Sequence, residues 1–221
     1  MIGSAEPSPG HIVQDEGDKL LIGAFPTSNI NPAVPERRAE EFVALYAKGG
    51  KTDCQYSPNV LHDRWKKLVF NACLNPICAI TGLDDGRLRL ADGALDGLVR
   101  PAMREIVAAA KAVCGVELAE DVIEATIHVD PLESYLKPSM QQDLEKVSLC
   151  GGSQGPQKSA VCTNTQQGNF IEFENLLGEP LRAGKDAGVA MPTLEVLYQL
   201  AKAIQWRIKE SRGLVDVPKK K

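Results

Sequence analysis

At 221 residues, 43% hydrophobic and 24% charged with a net charge of −4, the chain has room for one large domain or two small ones, and nothing in that balance attracts nucleic acid or anionic membrane. The six cysteines (54, 73, 78, 114, 150, 162) form no CxxC pair and none clusters with His11, His62 or His128, a reducing-compartment pattern, read as cytoplasmic and without a metal site. There is no apolar run of about 18 residues, and MIGSAEPSPG lacks the basic and apolar regions of a signal peptide.

Residues 1–10, rich in Pro, Gly and Ser, are expected to be disordered. His11 to Val13 and Lys19 to Phe25 are β-type runs flanking the turn-forming Gln14 to Asp18, which predicts a hairpin. Two strands alone are marginal in water, so that hairpin needs a larger sheet. Pro35 to Lys48 reads as a helix closed by Gly49-Gly50, and Thr52 to Tyr56 as another short strand. Residues 1–57 thus look like a small α/β unit at the edge of something larger.

Helix dominates from Asn59 to Gly213. Arg64 to Asn75, RWKKLVFNACLN, reads as one amphipathic helix, continued after a kink by Pro76 to Thr81. Lys67, Asn71 and Asn75 stand four residues apart on one face, and at a rise of about 1.5 Å per residue they span about 12 Å, the reach of a small polar ligand. An ammonium donates and an amide both donates and accepts, so the row suits a carboxylate, a carbonyl and a hydroxyl together. The competing reading is a solvated helix face, with Asn75 before Pro76 marking a helix end. Cys73 and Cys78 read as packing atoms.

Asp84 to Gly86 is a turn. Leu95 to Val113 is a helix stopped by Gly115, and Ala119 to Val129 and Pro138 to Lys146 are shorter ones. Phe170 to Ala187 and Pro192 to Ser211 complete a bundle of about six helices, with a basic tail at 214–221. Val147 to Gln167 fits none of this, having no apolar periodicity and much Ser, Gln, Gly and Thr. A structureless stretch of that length inside a compact domain is uncommon. Its Gly151-Gly152-Ser153-Gln154-Gly155 has neither a preceding strand nor a Lys-Ser/Thr pair, so it is no phosphate loop.

Four motifs in order resemble the C-terminal half of the ketopantoate reductase (2-dehydropantoate 2-reductase) family: Trp65-Lys66-Lys67-Leu68 with Asn71 and Asn75-Pro76, Pro138 to Asp143, Ile171-Glu172 with Gly178, and Gly188 to Thr193. The resemblance covers about residues 11–211. It implies a mainly α fold, a helical bundle like the C-terminal domain of 6-phosphogluconate dehydrogenase (58–213), preceded by a small α/β remnant of a Rossmann domain (1–57). It also implies NADPH-dependent reduction of a 2-keto acid, with a homodimer possible. Lys67 would be the general acid toward the carbonyl oxygen. Asn71 and Asn75 would hold substrate oxygens, Ser139 the carboxylate, and Glu172 the hydroxyl while ordering the site. A partly buried Lys–Glu arrangement would keep the lysine charged.

Departures from the family pattern stand out in three places. The GxGxxG turn of the nucleotide-binding half is absent, so the chain resembles an enzyme truncated through its cofactor domain, with activity of this chain alone in doubt and cofactor-binding residues unassigned. Asp85 stands where many relatives carry an asparagine, and Leu136 where some carry a polar residue. Removing 147–167 restores the family spacing; we read the segment as a translated, unspliced intron, with a lineage-specific loop as the alternative. The functional alternatives are a helical binding or dimerisation module without the chemistry, or another 2-keto acid dehydrogenase.

Overall fold

Parallel strands cannot be joined by a tight turn, and this shapes the N-terminal topology. In the computed structural model, which describes residues 4–8, 10–14, 17–27, 29–50, 52–151 and 170–218, β1 (Ser4–Ser8) pairs antiparallel with β2 (His11–Gln14). β3 (Asp18–Ile22) instead pairs in parallel with β4 (Thr52–Tyr56), in a register running from Asp18 opposite Thr52 to Ile22 opposite Tyr56. Helix α1 (Ala33–Tyr46) makes the crossover between them and packs on both. The expected hairpin of 11–13 with 19–25 is therefore not formed. Every residue of β2 is exposed, whereas β3 gains cover on alternate residues by lying beside β4 under a helix. Part of the segment expected to be disordered, Ser4–Ser8, is a strand.

The contacts divide the chain into two units, Met1–Arg64 and Trp65–Lys221. Within the first, the Tyr46 hydroxyl donates to Asp18 Oδ2 at 2.5 Å, tying the end of α1 to the start of β3. Gly23 is required where the chain leaves β3, because a Cβ there would stand 2.2 Å from Ser57 O.

Helix α2 (Val60–Asn71) runs across that division, and α3 (Leu74–Thr81) follows it after a break at Ala72-Cys73. Proline has no N–H for the carbonyl four residues back, and its ring collides with that carbonyl. Pro76 thus opens the helix at Ala72, one turn before the expected kink. Cys73 takes φ −114° and turns its N–H to Phe70 O at 3.2 Å. The single helix expected over 64–75 is two, and Asn75 belongs to the second.

The second unit continues with α4 (Asp85–Leu90), a wider turn at Leu95–Val99 leading into α5 (Arg100–Cys114), α6 (Val122–Ile127) and α7 (Ser139–Gly151). A second wide turn, Glu174–Gly178, leads into α8 (Glu179–Asp186), and α9 is Pro192–Ser211. The turn expected at Asp84 to Gly86 is the capped start of α4, and α7 runs five residues past Lys146; residues 152–167 of the segment singled out above lie outside the described residues. α3 packs on α7 and α9, while α5 packs on α8 and α9. Leu74, Ile77, Leu88, Met103, Ile106, Leu177 and Leu194 are completely buried between these helices. Each such side chain contributes about 1.5–3 kcal/mol relative to exposure. Among the described residues no helix is long and apolar enough to cross a membrane.

Candidate active site

Asn71 ends α2 and Asn75 lies in the first turn of α3. Their four-residue spacing survives the break between the helices, since Asn75 Nδ2 donates to Asn71 Oδ1 at 3.4 Å. Asn75 is 3% exposed, and its Oδ1 has no partner among the described residues. A buried acceptor left without a donor costs about 1–3 kcal/mol, which a bound hydroxyl or amine would relieve. Asn75 is thus no part of a solvated helix face. Lys67 is exposed one turn before the half-buried Asn71, so the row runs from solvent into the core.

Ser139, the first residue of α7, is exposed between the buried Pro138 and Met140. Its helix is fixed to the one carrying Asn75, because Gln141 Nε2 donates to Gly82 O, at the end of α3, at 3.1 Å. Glu172 is exposed too, on a segment held from α9 by a buried bond from Ile171 N to Gln205 Oε1 at 3.1 Å. The structure therefore joins Asn71 to Asn75 directly and ties the helix of Ser139 to that of Asn75. It does not bring Lys67 and Glu172 into a partly buried pair: both are exposed, with no bond between them among the described residues.

Beyond Glu172 lies a polar cluster that periodicity did not reveal. Arg182 pairs with Glu179 at 2.7 Å and with Glu174 at 3.2 Å, and the Tyr198 hydroxyl donates to Glu174 Oε1 at 2.9 Å. That bond to a carboxylate pushes the Tyr198 phenol above its ordinary range. Gly178 leaves room for the cluster, since a Cβ would stand 2.6 Å from Glu174 Oε2.

Two adjacent carboxylates at the start of α4 behave oppositely. Burial pushes Asp84 up, but hydrogen bonds from the Arg87 backbone and guanidinium outweigh it and hold the carboxyl below its usual range. Asp85 is fully buried with neither oxygen hydrogen-bonded among the described residues, and Arg89 approaches only to 3.9 Å. Burial raises it; Arg89 opposes that, and Asp130 and Asp84 reinforce it. Burial also pushes the Cys73 thiol well up and that of Cys78 up to about 12, which leaves both inert as nucleophiles. An open groove of about 260 Å³ lined by Arg89, Leu95, Asp96 and Arg100 includes none of the candidate residues.

A protein-family model described as ketopantoate reductase PanE/ApbA C terminal matches residues 59–150 and 146–205. An uncharacterized protein of Saccharomyces cerevisiae is 32% identical over 225 residues, covering 100% of this chain and 56% of that protein. A 2-dehydropantoate 2-reductase of Halobacterium salinarum is 25% identical over 211 residues, covering 92% and 57%. The crystal structure of 2-dehydropantoate 2-reductase from Methylococcus capsulatus superposes with a TM-score of 0.69 at 29% identity, over 94% of this chain and 62% of that one. The chain spans a little over half the length of the curated relatives it matches.

Proposed function

From a chain that belongs to the ketopantoate reductase family through its C-terminal helical domain, we infer that residues 58–213 form the substrate-holding part of an NADPH-dependent 2-dehydropantoate 2-reductase, with 1–57 the end of its nucleotide-binding domain. Lys67, at the solvent end of the row, meets the keto oxygen; its ammonium stabilises charge as the carbonyl is reduced and supplies the proton. Asn71 and Asn75 hold substrate oxygens, Ser139 donates to the carboxylate, and Glu172 accepts from the hydroxyl. The observation that carries this reading is the Asn71–Asn75 bond across the helix break, with a buried Asn75 oxygen still to be satisfied.

NADPH is the cofactor this reading implies, yet the residues present do not form a site for its phosphates. The chain has no GxGxxG, and the glycine after β3 is filled by the approach of Ser57 O. No step through the cofactor follows from these residues. The enzyme is cytoplasmic in this reading, and a homodimer belongs to it, α9 leaving Val196, Leu200 and Trp206 exposed. The family match falls into two stretches that meet at 146–150, where the segment 147–167 begins; transcripts that all retain that segment would remove the intron explanation.

A non-catalytic binding module is the second reading, favoured by the exposure of both Lys67 and Glu172. Calorimetric titration of the chain with ketopantoate separates the two. The substrate reading expects saturable binding that Lys67→Ala and Asn75→Ala each weaken at least tenfold, about 1.4 kcal/mol. Binding indifferent to both substitutions supports the module, and no binding refutes the substrate reading.

A further inference from the structure

Where α3, α4 and α7 meet, the second unit collects oxygens that accept hydrogen bonds and no groups that answer them. Asp85 Oδ1 and Oδ2, Gln141 Oε1 and Asn75 Oδ1 are all buried without a partner among the described residues, on side chains 0%, 2% and 3% exposed respectively. They belong to one corner: Asp85 acts electrostatically on Cys78, one turn from Asn75 on α3, and Gln141 reaches the end of α3 through Gly82 O. Unpaired buried acceptors are rare and call for an occupant that donates.

Charge says which donor fits. Asp84 is already paired with Arg87. The remaining charges acting on Asp85 are Asp130 and Arg89, and Arg89 lies 3.9 Å away with its guanidinium donating to Asp130 O at 2.9 Å. That bond goes to a backbone carbonyl, so Arg89 is the cation acting on Asp85, against the Asp130 carboxylate. A hydroxyl would bring one donor and no charge, whereas an ammonium brings three donors and the missing positive charge.

A strap explains how such a corner is buried. Residues 131–137 cross over α4: Asp85 N donates to Leu136 O at 3.0 Å, Leu132 O lies where a Gly86 Cβ would meet it at 2.5 Å, and Arg87 stacks on the Tyr135 ring at 4.6 Å. Tyr135 holds φ +45°, which no other described non-glycine residue does in the positive range. That conformation costs free energy and persists only where its surroundings enforce it.

We propose that this corner is a subsite for a primary ammonium group at the far end of the 2-keto acid, with Asp85, Asn75 and Gln141 as its acceptors and the 131–137 strap as its cover. The proposal rests on the reading of Lys67, Asn71 and Asn75 as the keto-acid site, and adds a cationic distal group to the substrate class. In the empty site burial holds the Asp85 carboxyl above its ordinary range. When the ammonium enters, the Asp85 carboxylate accepts hydrogen bonds from it, which draws the carboxyl back down.

Two measurements on the full chain test this. In the first, the Asp85 carboxyl carbon is followed by NMR, assigned by its loss in Asp85→Asn, during acid titration in the presence of methylammonium, methanol or tetramethylammonium. The proposal expects the titration midpoint to fall with methylammonium alone; no fall, or an equal fall with methanol, overturns it. In the second, calorimetry compares 4-amino-2-hydroxybutanoate with 2,4-dihydroxybutanoate. The amino compound is expected to bind at least tenfold more tightly, and Asp85→Asn to bring the ratio to about one. Equal affinities in the unsubstituted chain overturn the ammonium subsite. If neither compound binds, the keto-acid reading fails, and the methylammonium response alone decides the subsite.

Discussion

Glu105→Ala tests the most consequential internal contact of the helical unit. The residue before α9 is Met191, whose side chain cannot accept a hydrogen bond from the helix's first turn. Glu105, reaching from α5, does so instead: its two oxygens accept from Thr193 N at 2.9 Å and Leu194 N at 2.8 Å. Hydrogen bonds to a charged group are worth about 1.5–3 kcal/mol each. Leu194 is fully buried, so water cannot replace the lost acceptor there, while the half-buried Thr193 recovers part of its loss from solvent. The expected destabilisation is therefore about 2–4 kcal/mol, a large share of the 5–15 kcal/mol typical of a domain. Glu105→Gln keeps one acceptor oxygen and should lose about half as much. Urea unfolding followed by far-ultraviolet circular dichroism measures both, with amide exchange at Leu194 as the local readout. A Glu105→Ala protein within about 0.5 kcal/mol of the parent would refute the claim that this carboxylate caps α9.

Gly86→Ala should destabilise the chain by about 1–3 kcal/mol despite the better helix former, because the new methyl meets the Leu132 carbonyl of the strap; unchanged urea stability would count against that approach. Asp84 and Asp85 should give opposite pH dependences. Asp84 is depressed in the folded state, so its contribution is present above about pH 3.9 and lost as pH falls through the lower folded value. Asp85 is raised, so its contribution is complete below about pH 3.9 and lost as pH rises through the folded value. Asp85→Asn should therefore gain stability on its parent between acid and neutral pH and Asp84→Asn should lose it, as thermal melts across that range would report. Alkylation with peptide mapping should modify the exposed Cys114 in the folded chain and reach Cys73 and Cys78 only on unfolding. Rapid labelling of Cys78 would contradict its burial.

Much of the helical architecture was legible because its boundaries are local chemistry. Pro192 and Gly213 bracket α9 as read, and Gly115, at φ +65°, ends α5 where its left-handed conformation was expected. The four-residue spacing of Lys67, Asn71 and Asn75 likewise led to two side chains that bond. What was misread depended on non-local partners or on geometry a turn away. β3 chose β4, about 30 residues on, over the nearer β2, since a covering helix outweighs a short loop. Pro76 acted on the carbonyl four residues before it rather than on its immediate neighbour. Glu105, Gln141 and Gln205 look in sequence like any polar residues on amphipathic helices; only the backbone groups they reach, none on their own helices, give them their roles.

Those three side chains explain how candidate residues from separate stretches are held in place. Gln141 fastens the start of α7, and so Ser139, to the end of α3. Gln205 holds Ile171 and therefore the backbone leading to Glu172. Glu105 fixes the start of α9, the helix that carries Gln205. Apolar packing alone tolerates small slides of one helix over another, whereas a buried hydrogen bond is satisfied only over a few tenths of an ångström. Each anchor therefore sets register where packing sets proximity. Lys67 has no such anchor among the described residues and stands exposed. The amide end of the row is thus built into the core, while its ammonium end lies in solvent.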